Sequence, residues 1–213
     1  MKDVKAWIVL LIAVLLLGLG CTLFVGVGLG SDAITVFNEG LHKSLHVSLG
    51  WGSRITSILF ITLGLLVARD KMGWMSILYN ALAGFAIDFF CHIIDLQQLA
   101  LMSVGAKVFI VIIAQFVLCL SYALLIIYKQ GMNPFDAIAY YIEEKSKISF
   151  RVARMGVDVF LLVSGFIMGG VVGLGTIFCI FTTGPLVSMF VQVFERLQTN
   201  GKISIRKFAL KRD

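Results

Sequence analysis

The chain has 213 residues, 59% of them hydrophobic and only 14% charged, with a formal net charge of +6. Soluble domains run about 45–50% apolar and about 25% charged, so this composition describes a chain whose solvent is largely lipid and leaves no length for a separate catalytic or nucleic-acid-binding domain. The positive charge is no nucleic-acid footprint either, because Lys and Arg stand at the ends of apolar runs instead of along one solvated face.

A bilayer core about 30 Å thick needs about 20 apolar residues per helical crossing. Runs with few or no charges predict six such crossings, at 6–29, 52–68, 73–94, 107–128, 152–172 and 175–194. The first follows Lys2 and Lys5 and outruns the apolar core of a signal peptide, about 7–15 residues. It is therefore expected to be a retained helix, although Cys21 follows Gly18-Leu19-Gly20. After it, Ile34, Phe37, Leu41 and Leu45 recur at helical spacing, which predicts a short amphipathic helix lying in the interface or re-entering the protein. Asn133 to Ser149 forms a second linking segment too polar to span. The four cysteines, Cys21, Cys91, Cys119 and Cys179, are far apart in apolar stretches and read as small packing residues.

Lys and Arg bias short cytoplasmic loops. With the N-terminus inside, fifteen of the 18 basic residues fall inside, and only Lys43, Arg54 and Lys107 fall outside. Both termini are therefore expected in the cytoplasm, with a basic tail over 195–213. The chain also repeats itself. Gly30-Ser31-Asp32-Ala33-Ile34 resembles Pro134-Phe135-Asp136-Ala137-Ile138, and Gly73, Ile77, Gly84 and Phe90 match Gly173, Ile177, Gly184 and Phe190 in order. Three crossings per copy is an odd number, so the second copy must insert upside down. The expected fold is all-α: one polytopic membrane domain of six transmembrane helices in two inverted three-helix repeats, about 6–94 and 107–194, each with a short amphipathic helix. Such architectures place a site at the repeat interface.

The motifs GLGSDAITVF, GMNPFDAI, GFAID and TGPLVS together resemble the YczE/YyaS/YitT group of bacterial membrane proteins over residues 6 to about 195. The resemblance implies a small multi-pass protein of the bacterial cytoplasmic membrane and implies no substrate. It also shows a departure between the copies, since Asn133-Pro134 stands where the first copy has Leu29-Gly30.

Charges within spanning segments are costly and usually paired or at a polar cavity. Asp88 is the foremost candidate, with Arg54 as its expected partner. His92 and Asp95 continue the face of Asp88, but one helix end is a poor metal site, so no metal is expected. Asp158, one turn after Arg154, suits an intrahelical pair or a coupling role. Gly84 and Gly184-Pro185 occupy matching positions, and Gly/Pro interruptions point to transporter binding sites. Asp88 and Ser188 lie one turn beyond them, and Asn80 and Thr183 stand nearby, so these residues are expected to line one cavity. Ser31 or Asn133 is expected to cap its short helix, with Asp32 and Asp136 complementing the helix dipole. Asn133-Pro134 also resembles the half-helix motif of water channels, without a matching first copy.

The leading function is a secondary transporter or exporter of a small polar or amphiphilic molecule. The alternatives are the substrate-binding membrane component of an energy-coupling-factor transporter, which would copurify with an ATPase, and a membrane assembly factor. No nucleophile–base pair suggests an enzyme, and no cofactor is implied. The expected partners are the bilayer, an unidentified small molecule and a second copy of the chain, not nucleic acid.

Overall fold

In the computed structural model, which describes residues 2–127 and 133–200, the chain folds into α1 (Lys2–Val27), α2 (Ala33–Leu45), α3 (Leu49–Val67), α4 (Trp74–Ile93), α5 (Leu96–Leu101), α6 (Val104–Ile127), α7 (Pro134–Ser146), α8 (Phe150–Ile167) and α9 (Leu174–Asn200). The described residues contain no strand. Five helices are long and apolar enough to cross a membrane: Val4–Val27, Leu49–Val67, Trp74–Ile93, Val104–Ile127 and Leu174–Arg196. The chain is a multi-pass helical membrane protein. The remaining expected span, 152–172, is helical as α8, but Arg151, Arg154 and Asp158 make it more charged than the other five. Lys129 and the tail from residue 201 onward lie outside the described residues.

The helices assemble around two apolar cores. In the first, α1 packs against α4 and α6, and α6 against α9. Leu10, Leu17, Phe24, Ile87 and Leu118 are among its buried side chains. Gly18 lets α1 approach α4 so closely that an added Cβ would lie 2.7 Å from the Ala86 Cβ. The second core joins α2, α3, α7 and α8 through Phe37, Phe60, Phe135, Val157 and Leu161. The α3–α4 contact ties the two cores together.

How the chain enters α2 decides the site. Gly28 and Gly30 adopt φ values of +64° and +90°, a conformation open to glycine at little steric cost, and the chain turns back on itself after α1. Leu29 accepts a hydrogen bond from the Gly175 amide at 2.8 Å, and Thr35 comes to rest beside Cys21 (Oγ1 to Sγ 3.3 Å), six residues before the end of α1. Residues Thr35 to Leu41 are all buried, Asn38 and Glu39 included. Of the two expected settings for this helix the structure takes the second: α2 re-enters the protein and does not lie on its surface. The loop expected between the third and fourth spans also holds a helix, α5, capped by Asp95, which accepts from the Gln97 and Gln98 amides at 2.9 and 3.2 Å.

Candidate functional site

The first turns of α2 and α7 end at one small cavity of about 30 Å³, room for about one or two water molecules. From α2 it is lined by Ile34, Thr35 and Asn38, and from the start of α7 by Asn133 and Phe135. The face of α3 contributes Ser53, Thr56 and Ser57, and α4 contributes Tyr79, Asn80, Ala83 and Ile87. Leu17, Cys21 and Tyr122 complete the wall, and among the described residues no charged side chain lines it.

Hydrogen bonds hold this lining in place. Thr56 donates to Asn38 Oδ1 (2.6 Å) and stands 3.0 Å from the Gly52 carbonyl. Ser57 donates to the Asn80 carbonyl at 2.9 Å. The Asn80 amide nitrogen donates to the Ser76 carbonyl (2.8 Å) and to Asn133 Oδ1 (3.1 Å), which links α4 to the start of α7. Tyr79 pairs with Ser121 at 2.7 Å, and Ser121 donates onward to the Ala13 carbonyl. Buried polar groups need such partners, and supplying them makes the lining rigid while each Asn and Thr keeps capacity to bond a guest.

Two ion-pair groups stand outside the lining. At the α3–α4 seam, Arg54 donates to Asp88 Oδ2 at 2.5 Å, and the Gly50 amide donates to Asp88 Oδ1 at 2.9 Å. The Arg54 guanidinium lies over Phe85 (4.2 Å) and Trp51 (4.7 Å). In α8, Arg154 bridges two helices: its Nε meets Asp136 of α7 at 3.0 Å and its Nη1 meets Asp158 of its own helix at 2.5 Å.

Of the residues singled out in the sequence, Asn80 lines the cavity. Arg54 and Asp88 form the expected pair, and Gly84 packs where the α3 backbone crosses α4, but none of the three lines it. Gly184, Pro185 and Ser188 are exposed on α9, so the cavity expected between them and Asp88 does not form. The reason is packing: α9 lies along α6, and a Cβ added at Gly184 would touch nothing within 4 Å. The helix also continues unbroken through Pro185. Asp158 takes its expected intrahelical pair with Arg154, now shared with Asp136. Thr183 turns to α6, where it accepts from Gln115 at 2.8 Å.

Asn133 stands as the N-cap of α7 as expected, but the cap of α2 differs. Asp32, not Ser31, is the N-cap of α2, and neither it nor the Asn133 cap of α7 makes a side-chain capping bond. Asn133 spends its oxygen on Asn80 instead. His92 bonds the Asp88 carbonyl. Sequence reading missed Thr35, Asn38, Ser53, Thr56, Ser57 and Tyr79. The available signal was Ser53, Thr56 and Ser57 at i, i+3 and i+4 on an otherwise apolar helix, one polar stripe.

A protein family described as a family of unknown function (DUF6198) matches residues 4–192. The chain belongs to this family. The match spans the described helices from α1 to the second half of α9 and includes the described residues that line the cavity. Among curated proteins the chain is similar to the uncharacterised protein YyaS of Bacillus subtilis, 24% identical over 185 residues that cover 87% of this chain and 92% of YyaS. It is also similar to an uncharacterised protein of Haemophilus influenzae, 27% identical over 189 residues covering 89% and 84% of the two chains. The resemblance to the YyaS group read from the motifs is thus met by relatives matched over nearly their whole length. No solved structure matches the chain significantly.

Proposed function

We propose that this protein is a secondary transporter or exporter of a small, uncharged, polar molecule, built as two inverted repeats with both termini in the cytoplasm. The observation that carries the reading is the meeting of two short helices, one from each half of the chain, at a cavity whose lining, among the described residues, includes hydrogen-bonding side chains and no charge. Helix starts within a membrane protein present free amide donors, and polar residues at membrane depth mark solute pathways. The present cavity holds no more than water, as an occluded state would. Alternating access would open it as one half moves against the other.

The element ends support the repeat and correct its register. Helices α2 and α7 are each 13 residues long and end at left-handed residues, His46 and Lys147. The next helices are capped by Ser48 and Ser149. These landmarks, and Gly64 with Gly165, each stand 101 positions apart, whereas the Asp32 and Asp136 motifs stand 104 apart. Asp32 therefore corresponds to Asn133, not to Asp136.

Untargeted metabolite profiling of deletion and overexpression strains, inside and outside the cell, tests the reading. A polar neutral metabolite should change in opposite directions in the two strains, and Asn133→Ala should erase the difference at unchanged membrane abundance. No strain-dependent metabolite, or full activity in Asn133→Ala, would overturn it.

A further inference from the structure

We propose that the cavity is a carboxamide-binding site: the solute it selects is a small neutral molecule with an N–H group beside its carbonyl oxygen, an amide or a urea. This rests on the reading of the cavity as the solute site and names the chemistry that the site selects.

Three asparagines line the cavity, Asn38 from α2, Asn80 from α4 and Asn133 at the start of α7. Their partners within the protein decide which arm of each amide is the nitrogen. One arm of Asn80 stands 2.8 Å from the Ser76 carbonyl, an oxygen that can only accept, so that arm carries the hydrogens. The same nitrogen lies 3.1 Å from Asn133. Both of its hydrogens are then spent, and the Asn133 atom that meets it has to be the oxygen. Asn38 spends its own oxygen on the Thr56 hydroxyl at 2.6 Å.

What remains is two donors and one acceptor. Asn38 and Asn133 each keep an NH2 group, and Asn80 keeps its side-chain oxygen. None of the three has a hydrogen-bond partner among the described residues. Asn38 is only 4% exposed and Asn80 7%, so bulk water is a poor outlet for either, and the cavity they line is where these groups can be satisfied.

The neighbouring hydroxyls do not change that balance. Ser57 gives its proton to the Asn80 backbone carbonyl, and Tyr79 gives its own to Ser121, whose proton goes on to Ala13. Thr35 lies against the Cys21 sulfur. Ser53 and Tyr122 also line the cavity, but a hydroxyl donates or accepts equally well and sets no preference.

Donors from two asparagines and an acceptor from the third are the complement of a carboxamide. Its carbonyl oxygen has a lone pair for each NH2 group, and its N–H answers the Asn80 oxygen. The helix starts agree. The first turns of α2 and α7 border the cavity, and a helix N-terminus favours the negative end of a dipole, here the carbonyl oxygen. A ketone leaves the Asn80 oxygen unmet, and an ion finds no counter-charge in the lining among the described residues. A site built to bond a polar group rejects analogues that lack it.

The test is saturation-transfer NMR on the full chain in lipid nanodiscs, with acetamide, acetone, ethylene glycol and acetamidinium as separate probes and empty nanodiscs as the blank. The wild type should bind acetamide, and acetone and ethylene glycol more weakly by about tenfold, the effect of one forfeited hydrogen bond. Asn133→Asp keeps the oxygen that meets Asn80 and puts an acceptor where the NH2 donor was. It should lose acetamide and gain acetamidinium, and that gain reports a folded site. If Asn133→Asp fails to accumulate, Asn38→Leu must weaken acetamide binding instead. No acetamide signal above the blank, acetone or ethylene glycol bound as tightly, or acetamide binding unchanged in either variant would overturn the inference. Metabolite profiling keeps it separate from the transport reading. A strain-dependent metabolite without an amide or urea group overturns the inference and leaves transport standing. Acetamide binding with no strain-dependent metabolite leaves the site standing and overturns transport.

Discussion

The seam between α3 and α4 is closed, whereas α8 and α9, the pair matched to it in the proposed repeat, are left apart. In the first pair glycines bring the backbones together: Gly50 and Gly84 face each other, and Arg54 reaches across to Asp88. In the second pair α9 rests on α6, and among residues 174–196 only Gly175, Thr176 and Cys179 are buried. In the proposed register Ser53 and Ser57 correspond to Arg154 and Asp158. Hydroxyls are satisfied by a nearby carbonyl, as Ser57 is by Asn80, and allow two helices to close. The closed seam holds its own ion pair, Arg54–Asp88, at 16% and 22% exposed, whereas Arg154 and Asp158 remain 27% and 41% exposed. The first pair is thus sealed around its ion pair, and the second leaves its charged groups partly exposed.

The largest expected effect strikes at that difference directly. Gly84→Leu drives a side chain into Arg54 and the Gly50 backbone, and overpacking of this kind costs about 1–3 kcal/mol or more. Gly184→Leu meets open space and should be neutral. Membrane abundance and the thermal midpoint in detergent should fall sharply for the first variant and hold for the second; equal losses would mean that the two seams are alike.

Next comes the ion pair. Arg54→Gln removes a hydrogen bond between charged groups, worth about 1.5–3 kcal/mol, and should lower the thermal midpoint. The charge swap of Arg54 with Asp88 should fail to restore it, because Asp88 also accepts from the Gly50 amide, a role no arginine can fill. A swap that recovers wild-type stability would show that charge attraction alone holds the seam.

The smallest expected effect on stability sharpens the comparison for function. Asn80→Ala forfeits its bonds to Ser76 and Asn133, a net loss of about 0.5–1.5 kcal/mol each, and should impair transport more than abundance. Ser188→Ala, exposed on α9, should change neither. Impaired transport in Ser188→Ala would put α9 back in the solute path.

Hydropathy and charge placement were enough to read an integral membrane protein, five of its spans to within a few residues, and the Arg54–Asp88 and Arg154–Asp158 pairs. These are local quantities: a run of apolar residues has to be covered by lipid wherever it sits, and an ion pair at helical spacing or across a hairpin needs little more than chain geometry. Which side chains meet at the centre was not legible. The cavity draws Cys21, Thr35, Thr56, Asn80 and Asn133 from five stretches of chain, and uncharged polar residues leave too faint a mark on hydropathy to be grouped in advance. The motif match aligned Asp32 with Asp136, three residues from the register proposed from the helix ends, because a short identical string outweighed caps that only the backbone reveals. The turn at Gly28 and Gly30 sends α2 inward, and the choice of α9 to pack on α6 leaves Gly184 and Ser188 outside. Composition determined that the chain lives in a bilayer, since transfer free energy sums over residues one at a time. Tertiary packing alone decided where its polar groups converge, since that depends on which helix faces touch.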